Sequence, residues 1–149
     1  LRSEVLRGAR QGKQTTTMDL TSLSVLVVDD FSTMRRIVIG LLREKGIKKT
    51  LEADNGIHAL QMLAHNHVDM VISDWNMPEM NGLELLKTVR ASPEHEHLPF
   101  LMITAEARKD NIVEAAHAGA DGYIVKPFSA CILVGKVQAI LHKRAGMPA

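Results

Sequence analysis

Cysteine occurs once in this sequence of 149 residues, and no apolar run comes near the roughly 18 residues that a membrane span requires. The lone Cys131 has no partner for an internal disulfide. With no ligand pattern around it, the thiol reads as helix packing, not as catalysis or redox chemistry. The first residues also lack the apolar stretch of a secretory signal, so a cytoplasmic protein without membrane insertion is expected. A strong charge of one sign is missing too. The net charge is +1, of which Arg2, Arg7, Arg10 and Lys13 against Glu4 place +3 in the first 17 residues and leave −2 for the rest. A mildly acidic folded part argues against nucleic acid as a partner, because a phosphate backbone calls for Lys and Arg clustered on one face.

What is present is a 46% apolar composition in a length suited to one domain with a proper core. Residues 1–17 are polar and aperiodic and end in Thr15, Thr16 and Thr17. They read as a disordered extension or a remnant upstream of a natural start at Met18, with residues 18–149 forming the domain. From Leu23 onward, short β-branched runs alternate with segments of helical period, the pattern of an α/β fold in which helices cover a parallel sheet. Five strands are predicted: Ser24–Val28, Thr50–Ala53, Val68–Ser73, Phe100–Thr104 and Tyr123–Val125. The three most apolar should lie in the centre, covered on both faces. Helices are predicted over Ser32–Lys45, Gly56–His65, Gly82–Ala91, Ala107–Ala118 and Ser129–Lys143. In the first, Met34, Ile37, Val38, Leu41 and Leu42 form the apolar stripe, Ser32 is placed to cap the start and Gly46 to stop the end.

Open sheets of this kind bind ligands beyond the carboxyl ends of their strands, where the strand order reverses. Five polar residues converge on that rim: Asp29 and Asp30 after the first strand, Asp74 after the third, Thr104 at the fourth and Lys126 after the fifth. Three carboxylates a few ångströms apart repel one another unless a cation sits among them. Mg²⁺ suits them, since it takes oxygen ligands in near-octahedral geometry and keeps several waters. Asp30 and Asp74 are expected as direct ligands, Asp29 through water, and Asn76 through its main-chain carbonyl. A carboxylate beside Mg²⁺ can attack phosphorus in line, which makes Asp74 the candidate phosphoacceptor. Lys126 is the counter-charge for a carboxylate at rest and for a phosphoryl oxygen afterwards, and a cis Lys126–Pro127 bond would aim it inward. Thr104 offers a hydroxyl donor. Singly, an acidic pair before a helix is an ordinary N-terminal feature; the convergence carries the reading.

These residues fall in five ordered blocks: Val-Val-Asp-Asp-Phe-Ser-Thr-Met-Arg-Arg, Ser-Asp-Trp-Asn-Met-Pro, Asn-Gly-Leu-Glu-Leu-Leu-Lys, Met-Ile-Thr-Ala-Glu-Ala and Gly-Tyr-Ile-Val-Lys-Pro-Phe. Over about Leu23–Ser129 the chain thereby resembles the chemotaxis response regulators of the CheY type, a family of two-component receivers. The resemblance implies a flavodoxin-like (βα)5 fold with strand order 2-1-3-4-5, and phosphorylation of Asp74 by a CheA-type histidine kinase. It places Asp29, Asp30 and Asn76 in the Mg²⁺ site and makes Thr104, Tyr123 and Lys126 a switch relay in which Thr104 moves toward the phosphoryl oxygens and Tyr123 turns inward. Asn76 and Glu106 occupy positions at which family members set the phosphoryl lifetime. The protein is then a regulator and not an enzyme, apart from its own phosphoryl transfer and slow autodephosphorylation. Expected partners are the kinase, the flagellar motor switch protein and a phosphatase, met by a monomer.

An output face is expected at Lys109, Asn111, Tyr123 and Lys136. The last helix departs from a motor-binding pattern, because Cys131, Ile132, Leu133, Val134 and Gly135 stand where more charge is expected; apolar surface there means deeper packing or a contact face. A receiver of a non-flagellar pathway or a phosphate sink therefore stays open. So does edge packing of Tyr123 on Ala115 in place of a relay role. An aspartate-nucleophile phosphatase of the haloacid-dehalogenase type would need Asp-x-Asp-x-Thr, but Asn76 stands two residues after Asp74. A flavodoxin would need a Ser/Thr-rich phosphate loop where Asp29 and Asp30 stand. The pairs His65/His67 and His95/His97 read as surface histidines, and Trp75, next to the acceptor, as rim packing able to report ion binding.

Overall fold

The computed structural model describes residues 20–105 and 108–144. The expectations for residues 1–17, for a start at Met18 and for Glu106 lie outside them. After a 3-10 turn at Leu20–Ser22, strands and helices alternate: β1 Ser24–Val28, α1 Ser32–Glu44, β2 Lys49–Ala53, α2 Gly56–His65, β3 Met70–Asp74, α3 Gly82–Ala91, β4 Phe100–Thr104, α4 Lys109–Ala118, β5 Gly122–Val125 and α5 Ala130–Arg144. The strands form one parallel sheet in the order β2-β1-β3-β4-β5. This is the flavodoxin-like fold. The central strands β1, β3 and β4 are the most deeply buried, as continuous apolar runs covered on both faces must be.

Strand alternation divides the core in two. Leu26, Val28, Val71 and Met102 face the side covered by α2, α3 and α4, where Ala59, Leu63, Leu85, Leu86 and Val89 meet them. Val25, Val27, Ile72 and Ile103 face the opposite side, where Val38, Leu42, Leu133, Val137 and Ile140 of α1 and α5 close over them. Register levels the strand ends: Val28 pairs with both Ala53 and Ser73, Asp74 with Ile103, and Thr104 with Val125. The residue after each of β1 and β5 thus emerges on the same rim as Asp74.

Gly46 ends α1 as anticipated, at φ 99°. Its N–H donates to Arg43 O and that of Ile47 to Leu42 O, so a left-handed residue satisfies the last carbonyls of the helix. Three local expectations are corrected. Ser32 is the first helical residue and does not cap; Phe31 holds the N-cap position with no side-chain cap bond, and Asp29 Oδ1 accepts the Phe31 N–H instead. β3 begins at Met70, not Val68, because Asp69 breaks the run: its carboxylate accepts Ser24 N–H at 2.8 Å, while Val68 is buried outside the strand. Cys131 is exposed. The buried stripe of α5 runs through Leu133, Val134, Val137, Ile140 and Leu141, and a residue two places before Leu133 lies about 200° around the helix from it. The apolar start of α5 accordingly splits, with Leu133 and Val134 packed inside and Ile132 52% exposed. Gly135 faces open space.

Candidate functional site: an acidic rim with one ammonium

Consecutive residues of a strand point to opposite faces, yet Asp29 and Asp30 serve one site. The strand stops at Val28, although Asp29 still donates its N–H to Ala53 O at 3.1 Å, and the chain bends at Asp30. Oxygens of Asp29, Asp30 and Asp74 then lie within 4.8 Å of one another. Asp29 and Asp74 are buried and Asp30 is exposed. Lys126, following β5, donates its N–H to Thr104 O at 2.7 Å. Its Nζ stands 3.2 Å from Asp29 Oδ2 and 3.5 Å from Asp74 Oδ1. The Lys126–Pro127 bond is cis.

Three carboxylates face one ammonium, so the rim is short of positive charge. At Asp74 burial, more than the neighbouring charges, sets the balance. Burial pushes its carboxyl above the ordinary carboxylate value and the charge of Asp29 adds to the rise, while Lys126 and the Trp75 N–H, which donates to Asp74 Oδ1 at 2.8 Å, pull it down. A hard divalent cation would remove the conflict, and an all-oxygen donor set open to solvent at Asp30 fits Mg²⁺. Among the described residues this trio is the one group of His, Cys, Asp or Glu tight enough to hold an ion. The histidine pairs form no such cluster: His65 Nδ1 lies against Gln61 O and His67 Nε2 against Asp69 Oδ1.

The other candidate residues spread outward from this centre. Asn76 is exposed in the turn after β3. Thr104 is fully buried at the end of β4. Tyr123 is half-buried on edge strand β5 and meets Trp75 edge-on, with ring centroids 6.4 Å apart at 70°; it also lines a small cavity of about 170 Å³ with Ile112 and Ala115. An aromatic path therefore runs from the residue next to Asp74 to the outer edge of the sheet. Lys109 opens α4 near the rim, with Asn111 half-buried behind it. Lys136 of α5 borders Asp121 and Ile140. Asp121 precedes β5, so Lys136 lies toward the opposite end and the four proposed output residues do not form one compact cluster.

Two residues escaped the sequence reading. A Cβ on Gly82, the first residue of α3, would sit 2.2 Å from Asp74 O and 2.9 Å from Met102 Sδ. The Gly82 N–H meanwhile donates to Trp75 O, so only glycine lets α3 lie this close behind the acceptor. Its signal was the Asn81-Gly82 pair: Asn81 caps α3 in a capping box with Glu84, and a glycine at the following position has no helical reason to be there. Arg35 was the other. It stands on the first turn of α1, donates to Asp29 O and pairs with Glu52 on β2 at 2.8 Å.

A doubly wound parallel sheet with acids after β1 and at the end of β3 and a lysine after β5, all gathered at one rim, defines a receiver. Comparison with known proteins agrees. Residues 25–138 match the response regulator receiver domain family. Chemotaxis protein CheY-3 of Vibrio cholerae is 55% identical over 122 residues, covering 82% of this chain and 94% of that protein. Chemotaxis protein CheY of Pseudomonas aeruginosa is 52% identical over 124 residues, covering 83% and 100%. The solved structure of the chemotaxis response regulator CheY4 of Vibrio cholerae superposes with a TM-score of 0.74 at 35% identity, covering 79% of this chain and 98% of that one. The chain belongs to the response regulator receiver family, and within it to the CheY-type chemotaxis receivers.

Proposed function

We propose that the domain, residues 18–149, is a phosphorylation switch whose acceptor is Asp74. The observation that carries this reading is the buried Asp74 carboxylate held at the rim between an acidic pair and the Lys126 ammonium. Mg²⁺, held by Asp29, Asp30, Asp74 and the Asn76 carbonyl, would supply charge neutralisation for both the attacking carboxylate and the phosphoryl oxygens. A carboxylate oxygen of Asp74 attacks the phosphorus of a phosphohistidine on a CheA-type kinase. The P–O bond forms as the P–N bond breaks, and the imidazole leaves with a proton from solvent. Lys126 steadies the added oxygens.

The new group carries about −1.5 to −2 charges near neutral pH. Thr104 responds by donating to it, and Tyr123 turns into the space Thr104 leaves, reshaping the surface around Lys109, Asn111 and Tyr123, with Lys136 further along α5 as an outlying contact. A swing from 1:99 to 99:1 needs about 5.5 kcal/mol from phosphate and partner together. Asn76 and Glu106 then set how fast water removes the phosphoryl group, with a phosphatase as a further partner. The protein works as a cytoplasmic monomer whose output is the flagellar motor switch. The exposed Ile132 and Cys131 on α5 favour one alternative: a receiver of a separate chemosensory pathway, or a phosphate sink, using the same acceptor.

Incubation with phosphorylated kinase or a small acyl phosphate should label the chain only with Mg²⁺ present, and Asp74→Asn should take no label. Labelling of Asp74→Asn would reject the acceptor. Capture of flagellar switch components by beryllofluoride-treated protein, and not by Asp74→Asn, separates the motor from the other pathways.

A further inference from the structure

The bend that brings Asp29 and Asp30 to one site has a backbone cost. In a parallel ladder the N–H and C=O of one residue face the same neighbour, so Asp29, whose N–H reaches Ala53 O, presents its carbonyl toward β2 as well. β2 ends at Ala53, and Asn55 has already turned away as the N-cap of α2. No strand neighbour continues the ladder. A carbonyl left there without a donor would be costly, and the Arg35 guanidinium supplies one.

The guanidinium is itself fixed. Its Nε pairs with Glu52 Oε1 at 2.8 Å, and the arginine side chain is only 16% exposed. A planar fork held at one edge by a carboxylate presents its other edge in one direction. Asp29 is thus pinned through its N–H, its C=O and both carboxylate oxygens, the latter by Phe31 N–H and Lys126 Nζ.

We propose that Arg35 is a positioning residue for the cation site. It takes up the carbonyl that β1 loses when the chain turns, and so holds the peptide between Asp29 and Asp30 in the conformation that points two consecutive carboxylates at one ion. The inference rests on the Mg²⁺ reading given above. The competing role is a brace between α1 and β2 with no influence on the ion.

Magnesium titration of the full chain by calorimetry, well below every variant's melting temperature, separates the two. Arg35→Ala should weaken Mg²⁺ binding about tenfold or more, as loss of a group that orients a ligand does. Arg90→Ala breaks a comparable arginine contact set at the far end of the sheet, and should lower the melting temperature with Mg²⁺ affinity unchanged. Arg35→Ala that melts lower but binds Mg²⁺ as the unaltered chain does would overturn the positioning role. If Arg35→Ala does not fold, Arg35→Lys and Glu52→Ala carry the test: one ammonium cannot serve both contacts, and removing the Glu52 carboxylate takes away the acceptor that holds one edge of the fork, so each should weaken Mg²⁺ binding. Unaltered affinity in both would overturn the inference. An unaltered chain that takes up no Mg²⁺ would instead bring down the functional reading beneath it.

Discussion

The two ends of the sheet use the same residue type to opposite effect. At the amino end, Asp121 accepts the Phe100 N–H and pairs with Arg90 at 3.0 Å, while Asp69 accepts the Ser24 N–H and faces His67 at 2.8 Å. Each of these aspartates has a backbone donor and a side-chain partner of its own. At the carboxyl end, Asp29, Asp30 and Asp74 share one ammonium. The lesson is that a strand-end aspartate with partners of its own braces the fold, whereas aspartates that share one ammonium form a candidate site. Electrostatic shortfall, more than acidity, distinguishes the functional rim from the amino end.

The largest test of this contrast is Arg90→Ala. It removes donors from the carbonyls of Leu98 and Gly119 and takes the Arg90 guanidinium away from Asp121, which is about one-fifth exposed. Breaking such a partly buried pair should cost about 3 kcal/mol in urea unfolding; a loss below about 1 kcal/mol would mean that the amino end is not held by charge matching. Next in size is the response of the rim to metal. At a hundredfold excess over the dissociation constant, Mg²⁺ should stabilise the protein by about 2.7 kcal/mol. Asp74→Asn should lose most of that gain, and an equal gain in both proteins would place the ion elsewhere.

The pH dependence sharpens the comparison further. The folded-state value of Asp74 is raised, so the native chain binds a proton there more tightly than the unfolded chain does. Without metal, its contribution to stability falls as pH climbs from the ordinary carboxylate range of about 3.9 through the raised folded value. Urea melts in chelator should show Asp74→Asn the more stable protein at pH 7, with the gap closing toward acid. A gap independent of pH would deny that burial raises the Asp74 carboxyl. The smallest effect belongs to neither end: Gly135 faces open space within α5, so Gly135→Ala should stabilise the fold by about 1 kcal/mol with the Mg²⁺ titration unmoved.

Much of this was readable from residue order. The apolar runs of β1 and β4 stand where their β-branched and aromatic residues put them, and Gly46 stops α1 in the left-handed conformation expected of it. The convergence of Asp29, Asp30, Asp74 and Lys126 followed from the parallel topology alone, since each sits at the same end of its strand. What stayed hidden depended on tertiary detail. Val68 looks like a strand residue because it is apolar, but Asp69 turns its carboxylate onto the Ser24 N–H and delays the strand. Cys131 looks like core until the phase of α5 is known. Arg35 differs from Arg36 in no respect that composition reveals; only the end of the β1–β2 ladder makes one of them necessary.

Lys126 and Asp29 meet across 97 positions of sequence. The ammonium that answers Asp29 and Asp74 is among the last parts of the domain to be synthesised, and every strand from β1 to β5 must be in place before it arrives. A nascent or truncated chain lacking β5 therefore carries the acids without the lysine. The charge balance of the rim is in this way a property of the finished fold, closed by its last strand.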